Sequence, residues 1–366
     1  MLRKKTIIHI ITSLKVGGAE ALLVELIKSL QVKGYHNEVI YFHDGPNRQC
    51  LEQLGIKPIK ISGFIKLYDP VFFMRLVRTV KQLNPHVIHS SLWSANVFAR
   101  LVGKILNIPI LCAIHSQTNL ATVGTKNSRF RTFIDRCLAN WAQRYVLVSS
   151  QMDGAGLPQD KVVTIQNGVQ RYQLTTTKNL PQELNIEEDC FVVGTVGRFS
   201  PVKNYSLLLK AFAVFHGFYN NSVLLLVGQG ELEQQLRDEA VQFGIMDKVR
   251  FIRSNQATEY YPLFHCFVMT SWQEGLSIAL LEAMSVGVPP VIVKSDGEHE
   301  VVHSDNGILV DAYKPEILAA SILRLAQNPE EQKKLGIAAA RTIESEFSFS
   351  RMVEQYQREY DKLLDQ

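Results

Sequence analysis

Hydrophobic residues occur along the chain in two series of short runs, which are separated by segments of helix length. The first series consists of apolar and β-branched runs at 6–12, 37–42, 57–61, 86–89, 109–114, 144–148 and 162–166. The second series consists of runs at 190–197, 222–228, 248–252, 266–271 and 289–294. Strands that alternate with helices form parallel sheets covered on both faces, so each series predicts one doubly wound α/β domain.

A polar segment separates the two series, and a helical pattern ends the chain. The segment 171–189 contains threonines, Pro181 and several acidic residues, and it is the predicted linker between domains 1–170 and 190–346. In 347–366 the apolar residues recur at helical spacing, which predicts a C-terminal helix that packs across the domain junction. Ligands of doubly wound domains bind beyond the carboxyl ends of the strands, so we expect a site in a cleft between the domains.

Composition excludes several classes of protein. Of the 366 residues, 46% are apolar and 20% are charged, which allows two full cores and argues against disorder. No apolar run reaches the roughly 18 residues of a membrane span, and the N-terminal residues lack a secretory pattern. The five cysteines are scattered and include no C-x-x-C pair, which argues against a disulfide framework and a structural zinc site. A reducing cytoplasm is the predicted compartment.

Charge divides the two halves of the chain. Residues 1–180 carry a net charge of +14, whereas residues 181–366 carry a net charge of −10. A basic half is attracted to anionic surfaces. The alternative is that the charge division arises by chance or reflects attraction between the two halves. The pattern of 69–83 is typical of a core-packing helix, but the basic and aromatic residues of 126–144 favour surface contact. We therefore expect peripheral binding to an anionic membrane through 1–180, without insertion.

Paired glycines follow the first predicted strand. Gly17 and Gly18 stand between that strand, which ends near Thr12, and a helix that begins near Ala19. Glycines in this place let a ligand approach the backbone closely, and the helix N-terminus offers free amides to an anion. A tight turn between strand and helix is the alternative interpretation, because the G-x-G-x-x-G fingerprint is absent.

Two cations follow the first strand of the second series. Arg198 and Lys203 come after the strand that ends at Val196, and Lys203 stands at the predicted start of a helix. A cation at that position is unfavourable against the helix dipole by ~0.3–1 kcal/mol, so we expect an anion beside it. A diphosphate would meet both cations and the helix amides together. Two solvated surface charges are the alternative.

The strongest signal is a pair of glutamates eight positions apart. Glu274 precedes a turn after the strand that ends near Ser271, and Glu282 lies in an almost wholly apolar helix with Ser277 as its predicted N-cap. A carboxylate among apolar residues is costly unless it is hydrogen-bonded, and sugar or ribose hydroxyls are suitable partners. The alternative is that neither glutamate binds a ligand: one is an ordinary surface residue, and the other interacts with the helix dipole.

These motifs resemble those of the family-4 retaining glycosyltransferases of the GT-B fold. The resemblance covers essentially the whole chain and rests on Gly-Gly-Ala-Glu, on Gly-Arg-x4-Lys, and on Glu-Gly-Leu-Ser followed by Glu282. Shorter matches are QNGV at 166–169, LLLVGQGELE at 224–233 and DGEHEVV at 296–302. The resemblance implies two Rossmann-like domains that face a central cleft, with a C-terminal helix that crosses back to the N-terminal domain.

The resemblance also implies roles for the motif residues of the second domain. Arg198 and Lys203 would bind the donor diphosphate and stabilise the charge of the leaving nucleotide. Glu282 would bind the ribose hydroxyls, and Glu274 would contact the transferred sugar. Backbone amides that would hold a phosphate and sugar hydroxyls are those of Leu276, Ser277 and Ile278.

Four further residues receive roles from the resemblance alone. Gly17 and Gly18 would line the phosphate and sugar side of the donor. His115, at the end of the predicted strand ILCAI, matches the active-site histidine that faces the sugar and the acceptor. Arg253 follows KVRFI, in the region that flanks the nucleobase.

The chain departs from the family pattern in three places. Asn204 stands where the family often has glycine after the lysine, and Pro289-Pro290 replaces a single proline. Asp296-Gly297 replaces a common pair of glycines in a loop that faces the sugar. The identity of the donor sugar is therefore left open.

The residues, taken with this resemblance, predict a metal-independent hexosyltransferase without a cofactor other than its donor substrate, and the resemblance implies that it is retaining. It would move a sugar from a nucleotide diphosphate sugar, preferably UDP-linked, to a hydroxyl of a lipid-linked or lipopolysaccharide-type glycan. The sequence has neither a Walker motif nor a D-x-D triplet, and Gly228-Gln-Gly230 begins an incomplete dinucleotide fingerprint. Arg198 and Lys203 would replace a metal in stabilising charge.

Two alternatives to this function remain at the level of sequence. One is a GT-B nucleotide-sugar 2-epimerase or hydrolase, and the other is a nucleotide-sugar binding module without turnover. The intact set of cations and glutamates argues against the second. No nucleic-acid partner is predicted, and the expected location is the cytoplasm, with peripheral contact at the inner face of the cytoplasmic membrane.

Overall fold

The computed structural model describes residues 5–64, 69–115, 126–152, 154, 156–171, 179–254, 256–294 and 300–365. It describes the side chains of all these residues except 126–129. The chain divides into two compact units. Unit 1 combines Met1–Gln166 with Met352–Gln366, and unit 2 is Asn167–Arg351. The loop departure at Asp296-Gly297 lies outside the described residues, as do the side chains of Lys126 and Arg129.

Unit 1 contains a parallel sheet. Its strands are β1 (Thr6–Ser13), β2 (His36–His43), β3 (Ile59–Lys60), β4 (Val87–Ser91), β5 (Ile110–Ile114), β6 (Arg144–Leu147) and β7 (Val162–Thr164). Their order within the described part of the chain is β3-β2-β1-β4-β5-β6-β7, and every pairing is parallel. The helices that precede unit 2 are α1 (Gly18–Val32), α2 (Asn47–Gln53), α3 (Pro70–Leu83), α4 (Trp93–Leu106) and α5 (Lys126–Leu138).

Both faces of the unit 1 sheet are covered, as its apolar strands predict. Ile8 and Ile10 of β1 pack in one core cluster with Phe72 of α3 and with side chains of α4. Ile11 packs in a second cluster with Ile27 of α1. Because the sheet is buried on both sides, function is concentrated at the strand ends and in the loops that follow them.

Unit 2 contains a second parallel sheet. Its strands are β8 (Phe191–Val196), β9 (Ser222–Val227), β10 (Val249–Ile252), β11 (Cys266–Met269), β12 (Pro290–Val293) and β13 (Ile308–Val310). Among the described residues their order is β10-β9-β8-β11-β12-β13, again with parallel pairing throughout. The helices are α6 (Leu180–Glu183), α7 (Tyr205–Phe218), α8 (Glu233–Gln242), α9 (Ile278–Ser285), α10 (Pro315–Gln327) and α11 (Pro329–Glu346).

The two faces of β9 pack against different helices. Leu224 lies in a core cluster with Phe212 of α7, whereas the next residue, Leu225, lies in a cluster with Leu280 of α9. This arrangement follows from the alternation of side chains along a strand. It confirms the prediction of a doubly wound domain in the second half of the chain.

The last helix, α12 (Phe349–Leu364), lies in unit 1 from Met352 onward. Its apolar side chains are buried, as the helical spacing of the sequence predicts. Glu359 accepts a hydrogen bond at 2.9 Å from Nε of Arg144 in β6, and the Lys5 ammonium lies 2.7 Å from Asp361. The predicted crossing of the C-terminal helix back to the N-terminal domain is confirmed.

No helix in the described part of the chain is both long enough and apolar enough to span a membrane.

Candidate active site

Two glycine-containing turns pack backbone against backbone beyond β8 and β9. A Cβ atom at Gly228, where φ is +152°, would lie 1.9 Å from the carbonyl oxygen of Gly197. A Cβ at Gly230 would lie 2.3 Å from the carbonyl oxygen of Phe199, whose amide donates to Gln229 O at 3.0 Å. Gly228 and Gly230, the glycines of the incomplete fingerprint, therefore allow the backbones of the two turns to pack closely because they have no Cβ atom.

Arg198 lies in the first of these turns with an exposed side chain. Its guanidinium forms no ion pair with any residue that the structure describes. An Arg side chain presents five donors in a planar fork that matches a phosphate. The residue is thus available to an anion from outside the chain.

Lys203 ends a short 3-10 turn and does not begin the following helix. That turn is Pro201–Lys203, and Asn204 adopts a left-handed conformation with φ of 51° before α7 begins at Tyr205. The sequence-based placement of Lys203 at the helix start is wrong, because the left-handed residue separates it from the helix. Thr270, just after β11, donates its hydroxyl to the carbonyls of Lys203 and Asn204 at 2.9 and 3.0 Å.

The ammonium of Lys203 forms a direct ion pair with the carboxylate of Glu274. The two side chains are 17% and 18% exposed, so the pair is mostly shielded from water. The hydroxyl of Ser271 also donates to Glu274, at 3.1 Å. In the structure, the anion that the sequence leads us to expect beside Lys203 is therefore the carboxylate of Glu274.

Gly275, Leu276 and Ser277 form the turn that leads into α9. Ser277 has the extended backbone of an N-cap residue, but its side chain makes no capping hydrogen bond. Leu281 donates its amide to Ser277 O at 3.1 Å, which starts the helix. The amides of the first residues of a helix have no partner within it, so this turn can hold an anion or hydroxyl.

Glu282 is half-buried on α9 and receives a hydrogen bond from a tyrosine. The hydroxyl of Tyr261, which is fully buried, donates to Oε2 of Glu282 at 2.8 Å. The expectation that this carboxylate needs a hydrogen-bonding partner agrees with this contact. Sequence reasoning missed Tyr261, because nothing in the stretch around it distinguishes it from a core aromatic residue.

Arg253, after β10, pairs with a glutamate from the start of α8. Its Nε lies 3.0 Å from Oε2 of Glu233, and its side chain is 70% exposed. Arg237 also contacts Glu233, at 3.1 Å. Burial acts to raise the pKa of Glu233, but the hydrogen bonds from the two guanidinium groups outweigh it and leave the pKa below its ordinary value. The predicted nucleobase residue thus belongs to a charged network.

In unit 1, Gly17 and Gly18 form the start of α1, as the sequence predicts. Gly17 is the N-cap residue with extended backbone, and a Cβ there would lie 2.3 Å from Oε2 of Glu20. The other carboxylate oxygen of Glu20 accepts a hydrogen bond from the Ser13 hydroxyl at 2.8 Å. Gly17 therefore leaves room for a buried carboxylate, which the Gly-Gly-Ala-Glu motif contains but to which sequence reasoning gave no role.

His115 directly follows β5. Its Nε2 atom is buried and has no hydrogen-bond partner among the described residues. Burial lowers the pKa of His115 to about 4, so the imidazole is neutral at pH 7. A neutral ring can either donate or accept a hydrogen bond.

The predicted residues of both units follow strands of the two parallel sheets. In unit 2, Arg198, Lys203, Glu274 and the start of α9 lie together at the carboxyl ends of the neighbouring strands β8 and β11. In unit 1, Gly17 and Gly18 follow β1, and His115 follows β5. Among the residues that the structure describes, no three His, Cys, Asp or Glu side chains form a group that could hold a metal ion.

Two family models match successive parts of the chain. The model described as Glycosyltransferase Family 4 matches residues 16–171, and the model described as Glycosyl transferases group 1 matches residues 176–342. The chain belongs to the GT-B glycosyltransferases. The motif residues from Gly17 to Glu282 thus lie in the two domains that define this family.

Two curated relatives of this glycosyltransferase, both from bacteria, match most of the chain. The chain is 25% identical to the putative glycosyltransferase EpsF of Bacillus subtilis, over 84% of this chain and 83% of that protein. It is also 25% identical to the lipopolysaccharide core biosynthesis glycosyltransferase LpsE of Rhizobium meliloti, over 93% of this chain and 95% of that protein. The predicted family and activity class are confirmed.

Solved structures share the fold of this glycosyltransferase over nearly its full length. HepE of Anabaena, crystallised in complex with UDP-glucose, matches with a TM-score of 0.85 at 22% identity, over 98% of this chain and 99% of that chain. The sucrose-phosphate synthase of Thermosynechococcus elongatus matches with a TM-score of 0.80 at 19% identity, over 99% of this chain and all of that chain. The GT-B fold predicted from the motifs is confirmed.

Proposed function

We propose that this glycosyltransferase is retaining and metal-independent, and that it transfers a sugar from a UDP-sugar to a hydroxyl of a lipid-linked or lipopolysaccharide-type glycan. The observation that carries the proposal is the ion pair between Lys203 and Glu274. Arg198 follows the same strand as Lys203, and its guanidinium forms no ion pair with any described residue. The UDP-glucose complex of HepE supports the choice of donor, and the relationship to LpsE supports the class of acceptor.

Arg198 and Lys203 act on the diphosphate of the donor. When the bond between the sugar C1 and the phosphate oxygen breaks, its electron pair stays on the leaving diphosphate. Two cations beside that oxygen stabilise the developing charge, and the interaction of the mostly shielded Lys203 is worth more than it would be in water. Glu274 keeps the ammonium of Lys203 in place before the donor binds.

Glu274 also accepts hydrogen bonds from hydroxyls of the transferred sugar. The acceptor hydroxyl attacks C1 on the face from which the diphosphate leaves, which retains the configuration. Its proton passes to the departing phosphate oxygen, so that the new C–O bond forms without a separate protein base. The protein therefore contributes positioning and charge stabilisation.

Glu282 binds the ribose of the donor. An ionised carboxylate accepts several hydrogen bonds, so it can hold the Tyr261 hydroxyl and two ribose hydroxyls together. Amides of the turn before α9 hold a phosphate and sugar hydroxyls. Arg253 remains the residue assigned to the nucleobase side, where its pairing with Glu233 limits its movement.

The residues of unit 1 serve the sugar and the acceptor. His115 is neutral at pH 7, so it can serve the sugar or the acceptor as a hydrogen-bond partner without carrying a positive charge. Gly17 and Gly18 line the phosphate and sugar side of the donor through their backbone.

Peripheral membrane contact through α5, at the inner face of the cytoplasmic membrane, is part of the proposal. Phe130 and Phe133 are 56% and 65% exposed and lie one turn apart, with the exposed Arg136 nearby. Asp135 of α5 binds α4, because it accepts a hydrogen bond from Trp93 Nε1 at 2.8 Å. Such a face suits an anionic lipid surface.

Nucleoside diphosphate release from a panel of nucleotide sugars, with and without bacterial glycolipid acceptors, tests the proposal. We expect UDP release that depends on the acceptor and full activity in excess EDTA. NMR of the product should show the same anomeric configuration, axial or equatorial, as the sugar has in the donor. Inversion of the linkage, or loss of activity in EDTA with rescue by magnesium, overturns the mechanism.

The same assay separates the two alternatives. UDP release that is fast without any acceptor identifies a hydrolase or 2-epimerase. Saturable binding of UDP-sugar without any release identifies a binding module. Either result contradicts the proposed transfer reaction.

A further inference from the structure

Asn167 begins unit 2 in the QNGV segment, and its backbone is tightly held. Val169 donates its amide to Phe347 O, and Phe349 donates its amide to Val169 O, both at 3.0 Å. A Cβ atom at Gly168 would lie 2.5 Å from the carbonyl oxygen of Ser348. Val169 and Ser348 form an isolated parallel bridge, which fixes the position of the neighbouring Asn167.

The side chain of Asn167 reaches the turn that leads into α9. Its Nδ2 donates to the carbonyl oxygen of Leu276 at 2.9 Å, across 109 residues of sequence, and the residue is only 4% exposed. In a trans peptide the carbonyl and the following N–H point in opposite directions. A Leu276 carbonyl that points at Asn167 therefore aims the Ser277 amide away from Asn167.

The oxygen of the same side-chain amide has no partner among the residues that the structure describes. Oδ1 of Asn167 is buried and accepts no hydrogen bond from any described residue. A buried acceptor without a donor is costly for stability, and an apolar side chain would avoid that cost. The hydrogen bond from its Nδ2 to Leu276 O, which holds the turn, explains why an asparagine stands at this position.

We propose that Asn167 is a positioning residue for donor binding, which holds the Leu276–Ser277 peptide in the orientation that presents the Ser277 amide to the donor. The inference rests on the proposed function, in which amides of this turn hold a phosphate and sugar hydroxyls. Asn167 acts through the turn, and it contributes to the affinity for the donor more than to the chemical step.

Asn167→Ala and Asn167→Asp test the proposal, with Asn221→Ala as the control. Asn221 also donates its Nδ2 to a backbone carbonyl, that of Asp189, at 3.0 Å. It directly precedes β9, however, and so lies at the amino end of the strands, away from the turn. The control therefore removes an asparagine-to-carbonyl hydrogen bond, at an exposed position, without touching the turn.

We expect Asn167→Ala to raise the KM for the nucleotide-sugar donor about tenfold, which is the scale of one hydrogen bond to a buried group. The kcat at saturating donor and the KM for the acceptor stay within about twofold of the wild type. Asn167→Asp raises the donor KM further, because a carboxylate oxygen then faces the oxygen of Leu276. The Asn221→Ala control keeps the wild-type donor KM.

Hydrogen exchange of the ligand-free protein gives a readout that does not depend on activity. The Leu281 amide is bonded to Ser277 O and reports on the order of the turn. We expect faster exchange of this amide in Asn167→Ala and unchanged exchange in the control. A wild type that uses no nucleotide sugar would refute the proposed function, whereas hydrogen exchange would still decide whether Asn167 positions the turn.

Two results overturn the inference. One is unchanged exchange of the Leu281 amide in both Asn167 variants. The other is an unchanged donor KM in both variants together with a lower melting temperature, which assigns Asn167 a purely structural role.

Discussion

The hydroxyl of Tyr360 in α12 and Nδ1 of His89 in β4 lie 2.8 Å apart, and both side chains are buried within unit 1. This hydrogen bond joins residues separated by 271 positions. His89 in turn lies beside His9 of β1, with ring centroids 5.2 Å apart. The last helix is thus tied to the centre of the sheet by a buried polar contact.

Tyr360→Phe removes the partner of His89 and leaves a buried imidazole nitrogen unsatisfied. We expect a loss of about 1–3 kcal/mol in the free energy of unfolding, measured by urea denaturation. Tyr356→Phe is the matched control, since Tyr356 is equally buried but its hydroxyl bonds no described residue. An equal loss in both variants would show that the hydrogen bond is not the cause.

Acid should destabilise unit 1 through its buried histidines. Burial lowers the pKa of His9 and of His115 to about 4 in the folded protein, against 6.5 for an ordinary histidine. As the pH falls below 6.5, the unfolded chain therefore binds protons that the folded chain does not. Stability is full above pH 6.5 and falls towards pH 4, by up to about 1.4 kcal/mol per pH unit for each histidine.

Urea denaturation of the wild type and of His9→Gln between pH 7 and pH 4.5 checks this dependence. The slope of unfolding free energy against pH should be smaller in the variant, because one of the titrating groups is missing. Identical slopes in the two proteins would show that folding does not lower the pKa of His9.

Removal of either cation beyond β8 should impair turnover severely. Arg198→Ala and Lys203→Ala are each expected to lower kcat by about 10²–10³-fold, the range seen for loss of one charge-stabilising group. Lys210→Ala is the control, since Lys210 is an exposed lysine on α7. Near-normal turnover in either of the first two variants contradicts the diphosphate assignment.

The two glutamates should give different kinetic patterns. Glu282→Gln is expected to raise the donor KM with a smaller effect on kcat, whereas Glu274→Gln lowers kcat more than donor affinity. Tyr261→Phe should resemble Glu282→Gln in a weaker form, because it frees the same carboxylate to move. If both glutamate variants show one pattern, the division between ribose and sugar is wrong.

Vesicle flotation tests the membrane contact of α5. We expect binding to anionic vesicles at low salt that is lost at high salt, because exposed charges are screened within roughly 10 Å at 0.1 M salt. Phe133→Ser should weaken this binding, and Met74→Ser, which changes an exposed apolar residue of α3, should not. Equal binding to neutral and anionic vesicles, or to neither, removes the claim.

Periodicity and strand order together allowed much of the fold and part of the site to be predicted. Because parallel strands end at one edge, residues that follow β8 and β11 must lie near one another, which brought Lys203 and Glu274 together. Their direct ion pair was not predictable, since the sequence led us to expect an external anion. The error at Lys203 arose because helical propensity does not reveal the left-handed turn at Asn204.

Contacts between distant segments were the part that sequence reasoning could not supply. The bond from Tyr261 to Glu282 and the bond from Asn167 to Leu276 depend on how loops meet above the sheet. Neither residue is distinguished by periodicity or by a charge pattern. Glu20 is different, because its motif was recognised and only its burial against Gly17 was not foreseen.

The return of α12 to unit 1 has a consequence for the order in which the protein is made. The ribosome synthesises all of Asn167–Arg351 before it completes the helix that covers His89. Unit 2 can therefore mature first, although it comes second along the chain, while the nascent unit 1 leaves the part of its sheet around His89 without the helix that covers it. Synthesis of α12, rather than of the first 166 residues alone, completes unit 1.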